Sequence, residues 1–82
     1  MARKPKERGD WMRISEAAAA ADVSKQTIEY YIMLGLIEPL RVPGKRSRLF
    51  DEDLIRRIRL IRRMNRSGYA LRDIRDTYLR RR

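Results

Sequence analysis

The chain has 82 residues, 43% of them hydrophobic and 39% charged, which leaves room for one domain around one small core. Lys and Arg number 21 against 11 acids, a formal charge of +10, so nucleic acid or an anionic membrane is the partner class to weigh first. The absence of Cys and His removes disulfides, thiolate nucleophiles, imidazole bases and the usual zinc and haem ligands.

No stretch approaches the roughly 20 apolar residues of a spanning helix. No pair of acids sits in a setting that would raise a pKa for acid–base work, so no catalytic, cofactor or metal residue is expected. The start, Met1-Ala2-Arg3-Lys4-Pro5-Lys6, lacks the apolar run of a signal peptide, and the expected location is cytoplasmic.

Residues 1–11 hold Arg3, Lys4, Lys6 and Arg8 and almost nothing apolar before Trp11, which reads as a flexible basic arm. It is either a solvated tail or an arm that settles on a DNA backbone or in a minor groove. Residues 12–82 form the folded unit. Ser15 suits an N-cap and is followed by Glu16 and five alanines through Ala21, giving a short helix over about 16–21. Asp22-Val23-Ser24 breaks the run, and Ser24 caps a second helix over 25–34. Ile28, Tyr31 and Ile32 mark its buried face, while Lys25, Gln26, Glu29, Tyr30 and Met33 point elsewhere. Gly35 occupies the left-handed position after the helix end. Helix, short turn and a second helix opening Ser-Lys-Gln-Thr is the helix-turn-helix plan, in which the second helix meets base edges in the major groove.

Leu36 to Leu40 is apolar and extended, and Pro43-Gly44 divides two β-like stretches, suggesting a hairpin with a basic tip. Arg41, Lys45, Arg46 and Arg48 make this either a solvated loop or a wing that grips phosphate. Asp51 caps the next helix, whose apolar face is Leu54, Ile55, Ile58, Ile61 and Met64. Arg56, Arg59, Arg63 and Arg66 run down the opposite side, with Arg57 and Arg62 alongside. Such density of like charge disfavours an isolated helix and calls for an anionic partner or a solvated face. Ser67-Gly68 stops it, and Tyr69, Leu71, Ile74, Tyr78 and Leu79 mark a last amphipathic helix over about 71–80.

From Met12 to about Leu79 the chain resembles the DNA-binding domain of the mercury-resistance-regulator (MerR) family of transcription regulators. The resemblance is carried by Arg13-Ile14-Ser15-Glu16-Ala17, Val23-Ser24, Thr27-Ile28, Tyr30-Tyr31, Gly35-Leu36-Ile37, Pro39, Arg41 and Arg48-Leu49-Phe50-Asp51. Ile58, Ile61 and Gly68-Tyr69-Ala70-Leu71-Arg72-Asp73-Ile74 complete it. It implies a mainly α, winged helix-turn-helix fold of about four helices with a short β-hairpin wing. It implies that Thr27, Tyr30 and Tyr31 lie at the DNA surface, the ring of Tyr31 packing while its hydroxyl reaches out. Lys25 and Gln26 would lie nearest the base edges, and Arg41 and Arg48 would hold the wing and meet phosphates. Arg13, Lys45 and Arg46 complete the candidate DNA-contacting set. The implied function is sequence-specific binding of double-stranded DNA in transcription control, with pairing of two copies on DNA and contact with RNA polymerase or another transcription component as further partners.

Four positions depart from the family pattern. Glu29 stands where Arg is usual, and could accept from a cytosine amine or pair with a neighbouring Arg. Ser47 replaces an aromatic residue, Arg46 a common Gly, and Ala70 a capping Ser, the last costing about 1 kcal/mol. Family members usually continue into a dimerisation helix and an effector domain. A chain of this length is expected to be either a module of such a regulator or a stand-alone member. A DNA-architectural, recombination or packaging accessory protein, and a protein-interaction module, are the alternatives from other classes.

Overall fold

The computed structural model describes residues 11–79, so the expected basic arm, Trp11 apart, and Arg80 to Arg82 lie outside the described residues. Among the described residues there are four helical stretches: α1 (Ile14–Ala21), α2 (Lys25–Met33), α3 (Glu52–Arg66) and α4 (Leu71–Asp73), which continues as a π-helix over Ile74–Leu79.

Helix α1 begins two residues before the expected start, and Ser15 is not its cap. Arg13 holds the cap position, and its backbone N–H donates to Glu16 Oε1 at 2.9 Å. A glutamate at the third helical position reaching back to the cap satisfies a backbone donor that would otherwise lack a partner. Ala17, Ala18 and Ala21 form the buried face, and their lack of bulk lets α1 lie close against both α2 and α3. Asp22 ends α1 in the left-handed region at φ 60°, a conformation an Asp tolerates better than most side chains. The chain then reverses, and the Val23 N–H donates to the Ala18 carbonyl at 3.0 Å.

Helix α2 opens as expected, with the Thr27 N–H donating to Ser24 Oγ at 3.0 Å. Its exit is a glycine turn. Gly35 has φ +80°, and the Leu36 N–H returns to the Tyr31 carbonyl at 2.9 Å. Arg75, in the π-helix that continues α4, seals that exit from outside, donating from Nη1 to the Leu34 carbonyl at 3.0 Å.

The expected hairpin contracts to isolated antiparallel bridges. Leu40 pairs with Leu49, the two N–H groups donating to the opposite carbonyls at 2.8 and 3.2 Å. Between them Lys45 N–H donates to the Val42 carbonyl at 2.9 Å, with Pro43 second and Gly44 third in the turn at φ +85°. No longer ladder forms here. Pro43 has no N–H, Gly44 disfavours extension, and Lys45-Arg46-Ser47-Arg48 offers adjacent cations instead of alternating apolar residues. The wing is stitched instead to the start of the fold, where Met12 and Phe50 exchange two hydrogen bonds of 2.8 Å.

Helix α3 follows the expected pattern, with Asp51 Oδ1 accepting from the Leu54 N–H at 3.0 Å and Ile55, Ile58 and Ile61 buried. Phe50, Ile28, Leu36, Ile58, Ile61 and Ile74 are the largest fully buried apolar side chains, and with Ala17, Ala18 and Ala21 of α1 they belong to one core. Helix α4 starts at Ala70 without a side-chain cap, as its sequence implied. Asn65 supports the preceding turn by donating to the Tyr69 carbonyl at 2.7 Å.

Candidate nucleic-acid interface

A short helix presenting an uncommitted polar face beside a basic loop is the arrangement that needs explaining. The core residues of α2 fall on one stripe, so Lys25, Gln26, Glu29 and Tyr30 are turned out to solvent, with Met33 73% exposed at the C-terminal end. Thr27 is half-buried, its hydroxyl 2.9 Å from Ser24 Oγ, which leaves it at the edge of that face.

Tyr31 is 4% exposed and its ring packs in the core, which leaves at most its hydroxyl for a surface contact. The physical reason is its register: three residues after Ile28, it falls on the stripe that α2 turns toward the core. Burial raises the pKa of its hydroxyl, against a smaller opposing effect of the Arg62 guanidinium.

The wing and the head of α1 converge. Arg13, Arg41, Arg46 and Arg48, with Ser15 and Ser47, line one open cleft of about 440 Å³ at the α1 N-terminus. Four guanidinium groups around the positive end of a helix suit an anion with several acceptor oxygens, as a phosphodiester has. Lys45 is on the other flank of the wing, lining a concavity of about 380 Å³ with Trp11, Arg46 and Ser47. Seven of the expected contact residues are exposed outright: Arg13, Lys25, Gln26, Tyr30, Arg41, Lys45 and Arg46.

Arg48 is differently placed. Its Nη1 and Nη2 donate to Oε1 and Oε2 of Glu29 at 3.1 and 2.7 Å, a two-pronged pair between the wing and α2. The hydrogen bond from Arg48, reinforced by its charge, holds the Glu29 carboxyl below the ordinary glutamate value, and the same bond pushes the Arg48 guanidinium up. Of the two fates open to Glu29, pairing with a neighbouring Arg is realised. Which Arg it would be could not be read from chain positions 19 residues apart.

A third feature is the arginine face of α3. Arg56, Arg59, Arg62, Arg63 and Arg66 line an open groove of about 460 Å³ with Ala21 and Asp22. Arg62 is anchored there, donating to the Asp22 carbonyl and lying 3.7 Å from its carboxylate. This places a basic surface beside the turn between α1 and α2, a juxtaposition that helix periodicity alone does not reveal. Among the described residues no group of three or more acids is placed to hold a metal ion, and no helix is long and apolar enough to cross a membrane.

Residues 12–80 match the model of MerR HTH family regulatory proteins. The chain is 42% identical over 64 residues to the HTH-type transcriptional regulator CueR of Bacillus subtilis (strain 168), covering 78% of this chain and 44% of that protein. It is 41% identical over 62 residues to the mercuric resistance operon regulatory protein of Bacillus cereus, covering 76% and 47%. Among solved structures, a MerR-family transcriptional regulator from Bacillus cereus superposes with a TM-score of 0.74 at 26% identity, covering 88% of this chain and 54% of that one. The lead(II) complex of the transcription regulator PbrR691 from Ralstonia metallidurans CH34 gives 0.71 at 39% identity, covering 79% and 51%. The chain thus spans about half the length of the relatives it matches.

Proposed function

This chain belongs to the MerR helix-turn-helix family of regulatory proteins, and from that premise we propose that it binds double-stranded DNA sequence-specifically in transcription control. The observation that carries the reading is the solvent-facing polar side of α2, flanked by the four-arginine cleft of the wing and α1. Helix α2 enters the major groove, where Lys25 and Gln26 at its first turn read base edges. Thr27 and Tyr30 lie against the sugar-phosphate edge. Arg13, Arg41, Lys45 and Arg46 grip phosphates on the wing side, and the arginine face of α3 provides a second line of phosphate contacts beside the helix-turn-helix turn. Phosphate contacts set register and affinity, while base contacts set preference.

Two copies pair on a palindromic element in this reading, and RNA polymerase or another transcription component is a further partner. The relatives include one mercuric resistance operon regulatory protein and one regulator solved in complex with lead(II). With no Cys or His, these 82 residues offer no thiolate or imidazole to a metal.

The test is selection from a random duplex library at two salt concentrations. An enriched motif that survives the higher salt is expected, with two spaced half-sites if copies pair on DNA. Absence of any motif, with affinity collapsing as salt rises, overturns the sequence-reading proposal in favour of a nonspecific architectural binder.

A further inference from the structure

Glu29 is a carboxylate on the outward face of the helix proposed to enter DNA, one turn after Lys25 and three residues after Gln26. Its side chain is 52% exposed, and that of its partner Arg48 30%. An acid facing a polyanion is repulsive unless the site gives it a donor, so its presence on a +10 protein requires a use.

The bonding capacity of the pair supplies one. Each carboxylate oxygen has two lone pairs and gives one to Arg48, which spends two of its five N–H groups on the pair. One lone pair on each oxygen and three guanidinium N–H groups remain. The two-pronged contact also fixes the Glu29 carboxylate in one orientation, so little side-chain freedom is left to lose on binding. In the major groove, guanine and thymine present acceptors, and adenine presents its amine beside the N7 acceptor. Cytosine alone shows a carboxylate a donor with no acceptor next to it on the same base.

We propose that Glu29 reads a cytosine in the major groove, with Arg48 as the positioning residue that holds the carboxylate and spends its outer N–H groups on the adjacent phosphate. Helix and wing then act as one reading surface instead of two separate contacts. The proposal rests on α2 entering the major groove, as the proposed function has it. At this position Glu29 ties the Arg48 guanidinium down, which an Arg there would not do.

The experiment is duplex-library selection with the wild-type chain and with Glu29→Gln, Glu29→Ala and Arg48→Ala, each checked for native helicity by circular dichroism. The wild-type motif is expected to contain one position where cytosine is favoured about tenfold. Glu29→Ala erases that preference and leaves the other positions intact. Glu29→Gln moves it toward adenine, whose N6 and N7 match an amide. Arg48→Ala weakens the preference at the same position, an effect that loss of a phosphate contact alone would not produce. A wild-type motif whose every position survives Glu29→Ala overturns the cytosine reading and leaves DNA recognition standing. A wild-type chain that selects no motif overturns both.

Discussion

The helical core and the wing are built from opposite materials. In the core, Ile28 of α2, Ile58 and Ile61 of α3 and Ile74 of the π-helix after α4 are wholly buried, as is Phe50 beside them. The wing from Arg41 to Arg48 rests on one backbone bridge at its base, one turn hydrogen bond and the Arg48–Glu29 pair. Burial of apolar surface is non-directional and tolerates imprecision, so it can hold a scaffold. A surface that must meet phosphates needs its cations unburied, and therefore cannot be held the same way. The division teaches that stability and recognition are separable in this fold, with Phe50 at the seam between them.

The sharpest way to break the comparison is Phe50→Ala. It removes a fully buried ring, and a loss of about 3–5 kcal/mol is expected in urea denaturation, a large share of the stability of so small a domain. A loss under about 1 kcal/mol would mean that the core does not carry the fold. Next in size is a gain. Ala70 caps α4 without a side-chain hydrogen bond, and Ala70→Ser is expected to raise stability by about 1 kcal/mol, read as an increase in the urea midpoint. In the wing, Arg46→Ala should change stability by less than about 0.5 kcal/mol while reducing the salt slope of DNA binding by about 1. An unchanged slope would take Arg46 out of the phosphate contacts.

The smallest effect concerns acid. The Glu29 carboxyl titrates below its ordinary value in the folded chain, so its pairing contributes at every pH above the ordinary glutamate range. That contribution is lost only as pH falls through the lowered folded value, and neutral pH leaves it intact. An NMR titration should find the Glu29 midpoint depressed in the native chain and restored to the ordinary value by Arg48→Ala. Equal midpoints in the two chains would show that the pair does not persist in solution.

Much of the scaffold was legible because periodicity reports burial. The three-residue spacing of Ile55, Ile58 and Ile61 located the α3 core face, and Ser24, Gly35 and Asp51 marked helix ends through local backbone chemistry. The start of α1 was misplaced because two cap schemes competed. Ser15 could have capped, but Glu16 reaching back to Arg13 begins the helix earlier. The wing was read as a hairpin because Pro43-Gly44 signals a turn, yet a turn does not specify how many residues pair on either side. The packed ring of Tyr31 follows from its register on α2, three residues after Ile28.

By itself the sequence determined the local grammar: where helices form, which stripe each buries, that the surface is strongly basic, and which family the pattern resembles. These follow from short-range geometry and composition, which need no knowledge of distant neighbours. Only the tertiary structure decided that Arg48 meets Glu29, that Arg62 closes on Asp22 and Arg75 on Leu34, and that Met12 pairs with Phe50. Each joins residues 19 or more positions apart, and an arginine-rich chain offers every acid and carbonyl many partners of equal chemistry. Packing of the core is what brings one of them within reach.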